Sequence, residues 1–257
     1  EYLKLTDELK REMPDLLTDI KNPLDGFKKD EYEQAFLAYI KEHDDILREI
    51  EDVYVCSTNA KEGMQTLAQE FVEYVKTSLE TETKKRKRSQ KLMDYNMILV
   101  VYLFPALLKQ NQKSGEAFAK ALLQEWKQAF PKTNLHLASY EEIAEGFRQR
   151  FCYITTAVCE HLDKPDDCYE LTTLRDYRDH YLMQTEEGRG IVEDYYEIAP
   201  GIVMMINMRK DAEAVYSNLY QQYLVPCIEM IEAGENEACQ NLYMDMVHNL
   251  QKEYLYS

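Results

Sequence analysis

Residues 97–108 read MILVVYLFPALL and are apolar on nearly every side. A helix that is hydrophobic all round must be buried, so this segment is expected to pass through the middle of a helical bundle. Its twelve residues fall short of the roughly twenty that a bilayer span needs, which argues for a core helix and against a membrane partner. Pro105 removes a backbone donor inside the segment and predicts a kink. Only 8 glycines and 7 prolines interrupt 257 residues, while Leu, Glu, Lys, Ala, Met and Gln are plentiful. That composition predicts an all-α protein, a bundle of about nine to eleven helices.

Helical spacing recurs along the chain. Leu5, Leu9 and Met13 share one stripe, which Pro14 ends or restarts. Residues 30–55 place Tyr32, Phe36, Tyr39, Ile46, Leu47 and Ile50 on one face, and Ser57, Thr58 and Asn59 offer caps for a helix through Met64, Leu67, Phe71 and Val75. Residues 80–91 are polar and either join two helices or extend one. Ser114 is placed to cap a helix through Phe118, Leu122 and Trp126, and Ser139 with Glu142 forms the S-x-x-E box that opens another. Later segments cover 198–208, 211–233 and 236–254. Gly234 is placed as a C′ residue, so the chain is expected to end in an antiparallel helical hairpin. The organisation predicted is an N-terminal helical region, 1–150, and a C-terminal one, 151–257, which can pack as one domain.

Charge narrows the partners. With 47 carboxylates against 30 basic side chains the net charge is -17, which repels nucleic acid and anionic lipid. The basic block at 84–88 lacks the interleaved aromatic residues of a nucleic-acid surface. Six cysteines in a long, core-forming chain point to reduced thiols in a cytoplasm, because disulfide frameworks belong to short secreted sequences.

Unusual residues concentrate in 152–200. Cys152 and Cys159 on one helix would sit ~10.5 Å apart along its axis, too far for a disulfide or a shared metal ion. A turn at Lys164-Pro165-Asp166 would bring Cys159 near Cys168, as two thiols in contact. The three ligands Cys159, His161 and Cys168 have irregular spacing for zinc, so no metal and no cofactor is expected. Asp166 or Asp167 is placed to cap the next helix. There Arg175 and Arg178 lie one turn apart, and Asp179 is positioned for an ion pair with Arg175. Two guanidiniums converging on a carboxylate or phosphate, with a hydroxyl from Tyr181 or Tyr196, would make an anion site beside Cys152. The familiar hydrolase, phosphate-loop and zinc signatures are absent, and Gly188-Arg189-Gly190 misses the dinucleotide pattern at Glu193.

Cys152-Tyr153-Ile154-Thr155-Thr156-Ala157 resembles the box that names the CFI-box C-terminal domain family. The resemblance continues through Leu174-Arg175, Tyr177-Arg178-Asp179, Tyr181-Leu182, Gly188-Arg189, Tyr195-Tyr196 and Pro200, about fifty residues in all. Family members commonly have Tyr-Gly after the box, where this chain has Cys159-Glu160. The resemblance implies a bacterial helical module and brings no reaction or catalytic residue with it.

Two functions follow. The first is a non-enzymatic helical interaction or adaptor protein, with an exposed groove beside Tyr195, Tyr196, Met204 and Met205. The second is a small-molecule or anion-binding module, with enzymatic chemistry open to it, centred on Cys152, Arg175, Arg178, Asp179, Tyr181 and Tyr196.

Overall fold

The computed structural model describes residues 2–110, 113–148 and 153–255. It is 79% helical, with no strand among the described residues. Among the described residues there are twelve helices, taking segments joined by a π turn as one and leaving aside the single turn Asp15–Thr18, one more than expected because the stretch 30–55 is divided. The chain forms two compact units, residues 1–148 and 149–257.

In unit 1, α1 (Tyr2–Glu12) is separated by Pro14 from the single turn α2 (Asp15–Thr18). The predicted helix at 30–55 is two, α3 (Tyr32–Glu42) and α4 (Asp44–Cys56), which part at His43. Only 1% of His43 is exposed. Its Nδ1 faces the Tyr39 carbonyl at 2.9 Å, and its Nε2 faces the Asp15 carbonyl at 3.3 Å and the Asp19 carboxylate at 3.4 Å. The ring thus fastens the break to the two ends of α2. Asn59 opens α5 (Ala60–Glu80) by accepting the Glu62 N–H, as its cap position requires.

The apolar segment lies in a continuous helix, Lys85–Lys109, made of α6 (Lys85–Ile98), a π turn at Leu99–Leu103 and α7 (Phe104–Lys109). This helix is long and apolar enough to cross a membrane, yet 72% of its apolar window is buried within the protein, as a core helix is. The basic residues 84–88 are its exposed first turn. The π turn answers Pro105. Proline has no N–H for the carbonyl four residues back and its ring presses on that carbonyl; the helix widens, so that Phe104 N–H bonds to Leu99 instead. The released Val101 carbonyl accepts the Tyr32 hydroxyl at 2.8 Å. α5 packs along α8 (Lys113–Ala129), where fully buried Trp126 donates to Asn96 Oδ1 at 2.8 Å. Ser114 lies inside the first turn of α8 rather than capping it. The box at Ser139 forms as expected: Ser139 N–H donates to Glu142, and Glu142 N–H to Ser139 Oγ, at the start of α9 (Tyr140–Arg148).

Unit 2 contains α10 (Tyr153–His161), α11 (Tyr169–His180), a 3₁₀ turn at Leu182–Gln184 and α12 (Glu186–Asn207). Then come α13 (Ala212–Leu219), a second π turn at Tyr220–Leu224, α14 (Val225–Glu232) and α15 (Asn236–Tyr254). Gly188-Arg189-Gly190 lies in the first turns of α12, capped by Thr185 Oγ1. Gly188 is needed there because a Cβ would stand 2.0 Å from the Leu182 carbonyl oxygen. The segment 198–208 is the second half of the same helix and Pro200 lies within it. At the end of α14, Gly234 has φ +77°. Its N–H bonds to Ile231 and that of Glu235 to Met230, the paired closure of a helix that ends on a left-handed residue. α15 follows at once and packs on α14.

Candidate functional site

Helices α10, α11 and α12 carry the residues that the sequence singles out, and polar side chains tie them together. Tyr195, 5% exposed, accepts the Ile154 N–H at 2.9 Å, so a hydroxyl from α12 satisfies a free donor in the first turn of α10. Arg178 grips Asp179 with two bonds, at 2.7 and 2.9 Å, and donates a third to the Tyr196 hydroxyl at 2.8 Å. That link joins α11 to α12. The guanidinium bonds hold the Asp179 carboxyl below the usual carboxylate range.

Arg175 points elsewhere. It donates to the Asp166 carboxylate at 2.7 and 3.3 Å and to the Asp166 carbonyl at 2.9 Å, which lowers the Asp166 pKa. Asp166 is therefore occupied as a counter-ion, and Cys168 takes the N-cap position of α11. The expected pair of Arg175 with Asp179 is replaced by these two, because Asp179 turns to its neighbour Arg178. Tyr181 stacks on Tyr177 with ring centroids 5.1 Å apart, and Tyr177 donates to the Asn236 carbonyl at 2.6 Å, tying α11 to α15. Arg178, Asp179 and Tyr196 are brought together; Arg175 and Tyr181 each have other company. Cys152 lies outside the described residues.

The space among these helices is narrow. A cavity of ≈ 30 Å³ is lined by Thr155, Tyr177, Arg178, Tyr195, Tyr243 and aliphatic neighbours. About one water or one methyl group fills such a volume, far below the ~300–1,000 Å³ of ordinary ligand pockets. The groove expected beside Tyr195 and Met205 is closed, with Met205 1% exposed, and Tyr196 and Met204 are half-buried.

The remaining reactive groups of unit 2 also face one another. Cys159 and Cys168 are in contact, and burial with that neighbour pushes the Cys159 thiol up to about 12. Cys227 and Cys239 pair across the turn between α14 and α15, where their hydrogen bond and burial hold the Cys227 thiol far above its usual range. Lys164 Nζ lies 2.6 Å from Glu170, which also accepts the Tyr220 hydroxyl at 2.8 Å. These bonds, that of Lys164 first, bring the Glu170 carboxyl down to about 2.

Comparison with protein families, curated proteins and solved structures found no match. The geometry alone therefore directs attention to unit 1, where a wider cleft of ≈ 230 Å³ opens between α3 and α9. Tyr32, Tyr140 and Phe147 line it together with Lys29, Asp30 and Glu33. The sequence shows Tyr32 only as one member of a core stripe. Nothing in linear order connects it with Tyr140, more than a hundred residues away.

Proposed function

We propose that the chain is a non-enzymatic helical interaction protein, a CFI-box-like module of the bacterial cytoplasm joined to an N-terminal helical unit. The observation that carries this reading is the use made of the polar residues in 152–200. Arg175, Arg178, Asp179, Tyr195 and Tyr196 all spend hydrogen bonds on ties within unit 2, and the cavity that Arg178 and Tyr195 help to line has room for about one water. A catalytic or anion-binding arginine pair would converge on a common space of ligand size, whereas these two diverge to separate aspartates. The stretch then serves as the frame of unit 2, and recognition falls to the surfaces it holds in place.

Two measurements on the purified chain test the proposal. Cross-linking in the host, followed by reconstitution from purified components, is expected to give a complex of fixed stoichiometry in analytical ultracentrifugation. Incubation with a metabolite extract of the host is expected to leave every small molecule unchanged relative to a heat-denatured control. Consumption of a metabolite in proportion to protein and time would overturn the non-enzymatic reading.

A further inference from the structure

Four of the six cysteines stand in unit 2 as two facing pairs, Cys159 with Cys168 and Cys227 with Cys239. Backbone closures bring the first pair together. At the end of α10 the Lys164 N–H bonds to the Cys159 carbonyl at 2.9 Å and the Asp163 N–H to the Glu160 carbonyl at 3.1 Å, while Asp163 takes φ +54°. This is the paired closure of a helix on a left-handed residue, and it reverses the chain. A second turn, from the Cys168 N–H to the Pro165 carbonyl at 2.9 Å, leads into α11, where Thr172 N–H and Thr172 Oγ1 both return to the Cys168 carbonyl. The two thiols therefore meet across a loop whose ends are both fixed.

The pairs differ in access. Cys227 and Cys239 are 1% and 0% exposed, with Cys227 Sγ 3.9 Å from the Cys239 carbonyl, and both are sealed between α14 and α15. In the first pair only Cys159 is sealed, at 0% exposed. Cys168, at the N-cap of α11, is half-buried and reaches the surface. Oxidation of a thiol follows its exposure, and a sulfenic acid with a second thiol beside it condenses to a disulfide. Cys168 is thus placed to meet an oxidant and Cys159 to resolve the product.

We propose that Cys159 and Cys168 form a reversible disulfide switch, oxidised by hydrogen peroxide, that fastens the end of α10 to the start of α11. Cys168 as thiolate attacks one peroxide oxygen. The O–O bond breaks, the other oxygen leaves as hydroxide and takes up a proton to become water, and the Cys168 sulfur is oxidised to a sulfenic acid. The Cys159 sulfur then attacks that of Cys168; the S–O bond breaks, the S–S bond forms, and the hydroxyl leaves as a second water with the Cys159 proton. Two thiols and one peroxide give one disulfide and two waters, and exchange with a small dithiol restores the thiols. The loop that the bond closes carries Lys164 and Asp166, which hold Glu170 and Arg175 of α11, so the state of the pair sets how readily this edge of unit 2 opens.

Hydrogen peroxide added to the full chain carrying Cys56→Ser and Cys152→Ser, which keeps only the paired thiols, tests the switch. After alkylation in denaturant and cleavage after glutamate, mass spectrometry is expected to find the peptide ending at Glu160 linked to residues 161–170, and a reductant to separate them. Cys227 and Cys239 are expected to be alkylated in full. The bond is expected to raise the melting temperature by about 5 °C or more, as closure of a loop does. Adding Cys159→Ser is expected to leave Cys168 as a sulfenic acid that dimedone traps, and adding Cys168→Ser to leave Cys159 unmodified. The result on the intact pair decides even where a further serine variant fails to fold. No linked peptide at millimolar peroxide, a bond between Cys227 and Cys239 in its place, or a bond that leaves the melting temperature unchanged overturns the proposal.

Discussion

Two helices, one in each unit, use the same backbone device in opposite surroundings. In unit 1 the sequence Tyr102-Leu103-Phe104-Pro105 runs out of the π turn Leu99–Leu103, whose last two residues it contains; in unit 2 Tyr223-Leu224-Val225-Pro226 does the same at the π turn Tyr220–Leu224. Eleven residues after each proline stands a Glu-Ala pair, Glu116-Ala117 and Glu237-Ala238, early in the next helix. In both, a proline without an N–H displaces the carbonyl four residues before it and the helix takes a wide turn. The consequences differ with burial. All five residues of the first π turn are buried, and the freed Val101 carbonyl needs the Tyr32 hydroxyl. Of the second, only Leu224 is buried, and the corresponding carbonyl belongs to exposed Gln222, where solvent is at hand. Proline dictates the turn, and its surroundings dictate which partner the turn requires.

The largest effects are expected where the two turns agree. Leu103 and Leu224 are 0% and 1% exposed, so each truncation to Ala should cost about 2–5 kcal/mol in urea denaturation. A much smaller loss for Leu224→Ala would break the equivalence of the two turns. The next effect separates them. Tyr32→Phe strands a buried carbonyl and should cost about 1–3 kcal/mol. The matching change near the second turn, Tyr220→Phe, removes a half-exposed bond to Glu170 and should cost less than about 1 kcal/mol.

pH sharpens the contrast further. Glu170, at about 2 in the folded protein against 4.5 ordinarily, stabilises unit 2 fully above pH 4.5. That contribution is lost as pH falls toward 2, and Glu170→Gln should flatten the acid limb of a stability profile. Tyr32 is raised above its ordinary 10.0, so its contribution to unit 1 is present below pH 10 and lost as pH rises beyond it. Tyr32→Phe should flatten the alkaline limb and leave the acid limb alone. The smallest effect is a gain: a Cβ at Gly190 meets nothing within 4 Å, so Gly190→Ala should add up to about 1 kcal/mol in mid-helix, whereas Gly188→Ala, two residues earlier, should be strongly destabilising.

Much of the fold was legible because helical period, caps and breakers are local. The stripe through Met64, Leu67 and Phe71, the Ser139 box, the restart at Pro14 and Gly234 as a C′ residue all depend on neighbours within a turn or two. The errors came where a distant group altered a local rule. His43 divides an uninterrupted period because its ring has partners at Asp15 and Asp19. Asp166, placed by sequence to cap α11, is instead held by Arg175 nine residues on. Cys159 and Cys168 met as the turn at Pro165 suggested, since that contact spans one loop.

The residues singled out for chemistry show the same division. Sequence alone determined that Arg175 and Arg178 share a helix one turn apart, since helical spacing needs only the chain itself. Only tertiary structure decided that one guanidinium turns to Asp166 and the other to Asp179 and Tyr196. Sequence determined an all-helical chain with a buried helix at 97–108, because periodicity and hydrophobicity act along the chain. Tertiary structure alone placed Tyr32 beside Tyr140 and Phe147 above two carboxylates, because a cleft is made by segments that no local rule brings together.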